Sequence, residues 1–239
     1  MRGSIVALSA AGLASAAIIP KTLNPFTGRA VTLAQRQEAN PFEGKELTPN
    51  PVYAEKLEAV YDLFEQAGDA ANAAKTREVQ QQGTFFWISQ IASLPDIDDA
   101  IAAARARQSE TGQEQIVGLV LYNLPDRDCS GEESSGELES DKNGLARYKA
   151  EYVDIFASKV AEGTDLTFAI VLEPDAIPNI VTNQGIPFCA QAAPVYEEGI
   201  AYAISKLQLP NVHLYLDAAH GGWLGWDDNL EPCKLNHPT

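Results

Sequence analysis

Several residue types that common function classes depend on are scarce or misplaced in this chain. Its three histidines, His213, His220 and His237, are scattered without ligand spacing, so no resident metal is expected, and no cofactor either. No Gly-x-Ser-x-Gly elbow occurs, which leaves esterase chemistry of the α/β-hydrolase kind without its nucleophile. Positive charge is in short supply, with 17 Lys and Arg against 33 Asp and Glu and a formal net charge of −16. A surface of that sign repels phosphate backbones and anionic headgroups, so neither nucleic acid nor a membrane surface is an expected partner. No Ser/Thr/Pro-rich stalk and no small cysteine-dense module is present, so no appended binding domain is expected.

The N-terminal apolar stretch is too short to span a bilayer and is closed by Pro20. Arg2 gives it a positive n-region, Ile5 to Ala17 an apolar h-region, and Ala14-Ser15-Ala16 a small-residue cleavage site. Residues 1–16 are therefore expected to be a signal peptide, and the protein to be secreted. An oxidising compartment permits disulfides, which makes Cys129 and Cys189 candidates to pair and leaves Cys233 over. Residues 17–48 carry Asn24-Pro25 and Asn40-Pro41 with little hydrophobic period and read as an extended approach segment. A chain of 239 residues with 45% hydrophobic content is long enough for one domain with a sizeable core. Residues 49–230 are expected to form it.

Within that stretch the pattern alternates. A helix is expected from Pro51 to about Gln66, with Tyr53, Leu57, Val60, Tyr61 and Phe64 on one face. The short apolar runs Thr84–Ile88, Ile116–Tyr122, Leu166–Leu172 and Val212–Asp217 read as buried strands. Between them lie helical patterns at Ile97–Arg107, at Leu145-Tyr148-Tyr152-Phe156-Val160, and at Ala192–Leu207. Strands apolar on both faces and alternating with helices argue an α/β fold with a parallel sheet. Each strand runs directly into polar or aromatic residues at its C-terminal end, the edge at which parallel α/β folds bind ligands.

Two carboxylates stand out at that edge. Asp175 follows Glu173-Pro174 at the end of one strand, and Asp128 closes Tyr122-Asn123-Leu124-Pro125-Asp126-Arg127-Asp128 after another. Two neighbouring carboxyl groups keep one of them protonated, which is what a general acid requires. The plainer alternative is that Asp126 and Asp128 pair with Arg127 or cap the loop. All three tryptophans also lie at strand ends: Trp87, and Trp223 with Trp226 in Gly221-Gly222-Trp223-Leu224-Gly225-Trp226. Indole planes suit the C–H faces of sugar rings, and two tryptophans among three glycines form an exposed loop.

These segments resemble fungal glycoside hydrolase family 6, the cellobiohydrolases and endoglucanases of β-1,4-glucan. Tyr122 to Cys129 is similar to the family's first signature and Leu172-Glu173-Pro174-Asp175 to its second. Asn40-Pro41-Phe42-Glu43-Gly44, Thr84-Phe85-Phe86-Trp87, Val181-Thr182-Asn183 and Leu216 to Trp226 are similar as well. The pattern departs at Asn123, where the family has Asp, and at Ser89, where it has an acidic residue.

The resemblance implies a distorted parallel (β/α) barrel, incomplete here with about four strands. It also implies an inverting hydrolase acting on cellulose or a related β-glucan, without a metal and as a monomer. Asp175 would be the general acid, and Asp128 the partner that raises its pKa. Tyr122 would press on the distorted sugar ring, Ser134 would lie on a loop holding the water, and Asp217 would stand near the cleavage point. Trp87, His220, Trp223 and Trp226 would line sugar subsites, and Cys129 with Cys189 would match a family disulfide. After Leu230, residues 231–239 depart from the family pattern, and the base is expected in a part of the barrel beyond them. Four strands cannot close a barrel, so this form is expected to be unstable or inactive alone. The alternative is a secreted, non-catalytic glucan binder.

Overall fold

The computed structural model of the protein describes residues 21–23, 30–32, 40–131 and 133–230. The expected signal peptide, residues 231–239 and Cys233 lie outside the described residues. The first unit shows an antiparallel pair, β1 (Lys21–Leu23) with β2 (Ala30–Thr32), Lys21 facing Thr32.

The second unit begins with β3 (Glu46–Leu47), two residues that pair in parallel with a later strand and that no sequence pattern marked. Helix α1 (Pro51–Gln66) starts where expected, because Asn50 caps it by accepting from the Tyr53 N–H at 3.1 Å and Pro51 occupies the first turn. Helix α2 (Ala70–Gln80) is capped in the same way by Asp69 and has no apolar stripe, which is why periodicity passed over it. No residue of α1 is buried. Its expected inner face instead meets α2 through polar contacts: Arg77 stacks 3.6 Å over the Tyr61 ring, and Gln80 donates to the Ala54 carbonyl at 2.8 Å.

Next come β4 (Phe86–Ile88) and α3 (Asp96–Thr111), the latter ended by Gly112 in the left-handed conformation that a C-terminal cap favours. Strand β5 (Gln115–Leu121) is buried along its whole length. A long polar loop leads to α4 (Gly144–Arg147), which continues through a π-helical stretch, Tyr148–Val153, into α5 (Asp154–Ala161). The remaining elements are β6 (Thr167–Leu172), α6 (Ala176–Thr182), α7 (Pro187–Leu207) and β7 (Val212–Leu216). Helix α6 is too short for periodicity to reveal.

The sheet is five-stranded and parallel throughout. Strand β6 pairs one edge of β5 from Ile116 to Leu121, so β3 and β4 share the other edge in tandem, β3 at Gln115–Ile116 and β4 at Leu119–Leu121. The ladder therefore has four positions, and β7 beyond β6 has no outer strand among the described residues. One face packs Val117, Leu119 and Leu121 of β5 and Phe168, Ile170 and Leu172 of β6 against a helical layer of Ile97, Tyr152, Phe156, Tyr196 and Ile200. Each such side chain removed from water stabilises by about 1.5–3 kcal/mol. The opposite face is a concavity of about 510 Å³ lined by Leu47, Phe85, Ile116, Ala169, Val171 and Tyr215. This register brings Ile88, Leu121, Leu172 and Leu216 level, so the segments that follow them emerge side by side.

Candidate functional site

Backbone geometry marks this edge before any side chain does. Among the described residues six non-glycine residues adopt positive φ, and Asp126, Asp128, Glu173, Asp175 and Ala219 of these stand just past β5, β6 and β7. A side chain in that left-handed region costs about 1–2 kcal/mol, and such strain concentrates where geometry is set by function.

After β6, Asp175 sits at φ 67 as the residue preceding α6. Its N–H donates to Asp217 Oδ2 at 2.8 Å, and Asp217 Oδ1 accepts from the Ala219 N–H at 3.1 Å. The segment after β7 is thereby tied to the segment after β6. Partial burial pushes the Asp175 carboxyl up, and the negative charges of Asp217 and then Asp128 push it further, while His220 opposes them. Such a group holds its proton to higher pH than a free aspartate.

Asp128 accepts from the Ser134 N–H at 2.8 Å through Oδ2, and its carbonyl accepts from the Gly131 N–H at 3.0 Å. A Cβ on Gly131 would lie 2.8 Å from Asp128 Oδ1, so a side chain there would push the Asp128 carboxylate from its place. Arg127 does not pair with these aspartates. It donates to the carbonyls of Ser134, Ser89 and Tyr122 and lies 4.3 Å over the Tyr122 ring, fastening the loop across the strand ends. The neighbouring Cys129 is bonded to Cys189 on α7, with Cα atoms 5.0 Å apart. The expected disulfide is present.

The aromatic residues at the strand ends are partly open to solvent. Trp87 is 55% exposed and meets the Tyr122 ring edge-on, with centroids 5.5 Å apart. Trp226 is 66% exposed, and its Nε1 donates to the Gly222 carbonyl at 3.0 Å. Trp223 is half-buried and anchored by Nε1 to Thr182 Oγ1 at 3.0 Å, beside His220 at 6.5 Å between ring centroids. Burial raises the phenol of Tyr122, and Asp175, Asp128 and Glu173 add to the rise, so all three carboxylates act on one ring.

Sequence reasoning quoted Glu173 inside a motif but gave it no role. The structure buries it almost completely, 1% exposed, and its charge acts on four tyrosines, Tyr122, Tyr148, Tyr152 and Tyr196. Its carboxylate accepts from the Asn123 N–H at 3.0 and 3.1 Å, the Leu124 N–H at 3.2 Å and the Tyr148 hydroxyl at 2.8 Å. Burial pushes it up to about 7 against those hydrogen bonds. Tyr148 and Tyr152 at helical spacing were legible only as core residues. No group of three or more potential metal ligands occurs among the described residues.

A parallel α/β sheet whose strand ends gather an elevated acid, two further carboxylates and exposed indole rings defines the class: an α/β protein with a carboxylate-bearing strand edge. The chain belongs to glycosyl hydrolases family 6, whose family model matches residues 42–237. It is 52% identical over 220 residues to the 1,4-beta-D-glucan cellobiohydrolase CEL6B of Podospora anserina, covering 92% of this chain and 52% of that protein. Endoglucanase-6B of Humicola insolens is 55% identical over 204 residues, 85% of this chain and 58% of that one. The structure of the Humicola insolens endoglucanase CEL6B superposes with a TM-score of 0.79 at 54% identity, covering 82% of this chain and 57% of that chain. The family 6 enzyme CcCel6C from Coprinopsis cinerea gives 0.79 at 49% identity, with 82% and 53% covered. The chain thus spans about half the length of the curated relatives it matches. The fold is this family's distorted parallel barrel in part, with four ladder positions.

Proposed function

We propose that this chain carries the proton-donating half of a secreted, monomeric glycoside hydrolase that cleaves β-1,4-glucosidic bonds in cellulose or a related β-glucan with inversion. The observation that carries the reading is Asp175: a carboxyl raised by burial and by Asp217 and Asp128, held on a strained turn beside an open aromatic surface. In this reading the Asp175 proton passes to the glycosidic oxygen as the bond to the anomeric carbon breaks. The charge developing on the sugar is steadied by Asp128. Water bonds to the anomeric carbon from the opposite face as that bond breaks, and its proton passes to a carboxylate base expected in a part of the barrel beyond this chain. Trp87, Trp223 and Trp226 offer ring faces to the glucan, Tyr122 lies under the distorted sugar, and Ser134 stands where the loop would hold water.

The outer edge of β7, unpartnered among the described residues, and the open apolar concavity support a further statement, that this form alone is a poor catalyst. Residues 17–239 are expressed and assayed for soluble sugar released from β-glucan, and for retention on cellulose. Retention without turnover, lost in Trp226→Ala, favours the glucan-binding reading of this form. Turnover that falls about 10²–10⁴-fold in Asp175→Ala supports the acid assignment and overturns the claim of poor catalysis. Turnover unchanged in Asp175→Ala overturns the acid assignment.

A further inference from the structure

We propose that Glu173 is a positioning residue: through its hydrogen bonds to the Asn123 and Leu124 amides and the Tyr148 hydroxyl, it fixes the loop that carries Tyr122 and Asp128 relative to Asp175. The proposal rests on the acid assignment above and adds a control on the same site. Glu173 stands two residues before the acid, on the same strained turn, with φ 45. Its side chain crosses from the end of β6 to the backbone just after β5, and no other side chain is seen to accept from both of those amides.

The third donor comes from the π-helical stretch. That local widening of the helix places Tyr148 and Tyr152 toward the strand ends, as such insertions commonly do at functional sites. The Tyr152 hydroxyl accepts from the Tyr122 N–H at 3.1 Å and donates to the Ile88 carbonyl, so the same stretch also holds the residue that begins the loop. The groups facing the Glu173 carboxyl are Tyr148 and Tyr152 from this stretch, Tyr196 from α7, and Tyr122 and Arg127 from the loop after β5. Arg127 is the one cation among them, and it favours the charged form of Glu173.

A carboxyl placed at about 7 makes this clamp responsive near neutrality. When ionised, both oxygens accept and every donor is satisfied. When protonated, one oxygen must donate. The backbone amides cannot turn to accept, whereas the Tyr148 hydroxyl can. The proton therefore settles on Oε1 and reverses the Tyr148 hydrogen bond, and the hydroxyl must find a new acceptor. The hydrogen bonding that holds the loop therefore changes as pH passes through about 7.

The test uses the full chain, following tryptophan fluorescence and cellohexaose affinity from pH 5 to 9. A Trp87→Phe control identifies the Trp87 signal, because that ring sits edge-on to Tyr122. A transition near pH 7 in both readouts is expected. Glu173→Gln should abolish it, and Tyr148→Phe should move it up by about one pH unit, because the lost bond to the ionised carboxylate is stronger than its reversed counterpart in the protonated form. A transition that persists unchanged in Glu173→Gln, or its absence from the parent chain, overturns the proposal. If Glu173→Gln does not fold, an unmoved transition in Tyr148→Phe overturns it instead. A chain that binds no cellohexaose at any pH sinks the glucan reading, while the fluorescence transition still decides the clamp.

Discussion

Replacing both Cys129 and Cys189 with alanine removes a covalent link between positions 60 apart in sequence. In the chain-entropy treatment, a loop of that size restricts the unfolded ensemble by about 14 cal/mol/K, or about 4 kcal/mol at 25 °C. Both residues are buried, so each lost sulfur also leaves a small gap against its neighbours. For a unit of this size, 4 kcal/mol corresponds to roughly 8–16 °C in melting temperature. Urea unfolding of the parent and the double variant, followed by circular dichroism, measures the difference directly. The released unfolded chain is more expanded, so the dependence on urea should steepen as stability falls. A loss below about 1 kcal/mol, or one with an unchanged urea dependence, would refute the argument that the bond acts by restricting the unfolded chain.

Asp217→Asn removes the larger of the two charges that raise Asp175, so the Asp175 carboxyl falls. A general acid works while protonated, so activity is lost as pH rises through its folded value. In Asp217→Asn that loss should come at lower pH in a pH–rate profile, and an unmoved profile would remove Asp217 from the account. Gly199→Ala on α7 would bring a methyl carbon 2.4 Å from Leu124 Cδ2. It should destabilise by about 1–3 kcal/mol in urea unfolding despite the better helix propensity of alanine, and a stabilised variant would show that the β5-end loop yields freely there.

Much of this architecture was legible because burial on both faces writes itself as unbroken apolar runs. Val117 to Leu121 and Phe168 to Leu172 could be little else. Asp128 and Asp175 were legible because parallel strands of matched register must discharge their next residues at one edge, whereas Asp217 was picked out only through the family resemblance. Within the second unit, three elements were not. Strand β3 is two residues long, α2 lacks an apolar stripe, and α6 is too short to show a period. The role of Glu173 was hidden for a different reason. Its partners are backbone amides and a tyrosine on another element, and such contacts have no sequence spacing. The π-helical stretch was hidden likewise, since Tyr148 and Tyr152 satisfy an ordinary helical period.

The left-handed residues at the strand ends carry a consequence for how far this fold can be improved. At roughly 1–2 kcal/mol apiece, five of them together set aside about 5–10 kcal/mol, comparable to the entire net stability of an ordinary domain. Glycine at Glu173, Asp175 or Asp128 would recover part of that sum and erase a side chain on which the proposed chemistry or the proposed clamp rests. Selection for robustness and selection for chemistry therefore pull these positions in opposite directions, and any sturdier descendant of this chain must find its gains elsewhere. The helical layer behind the sheet is the region free to supply them.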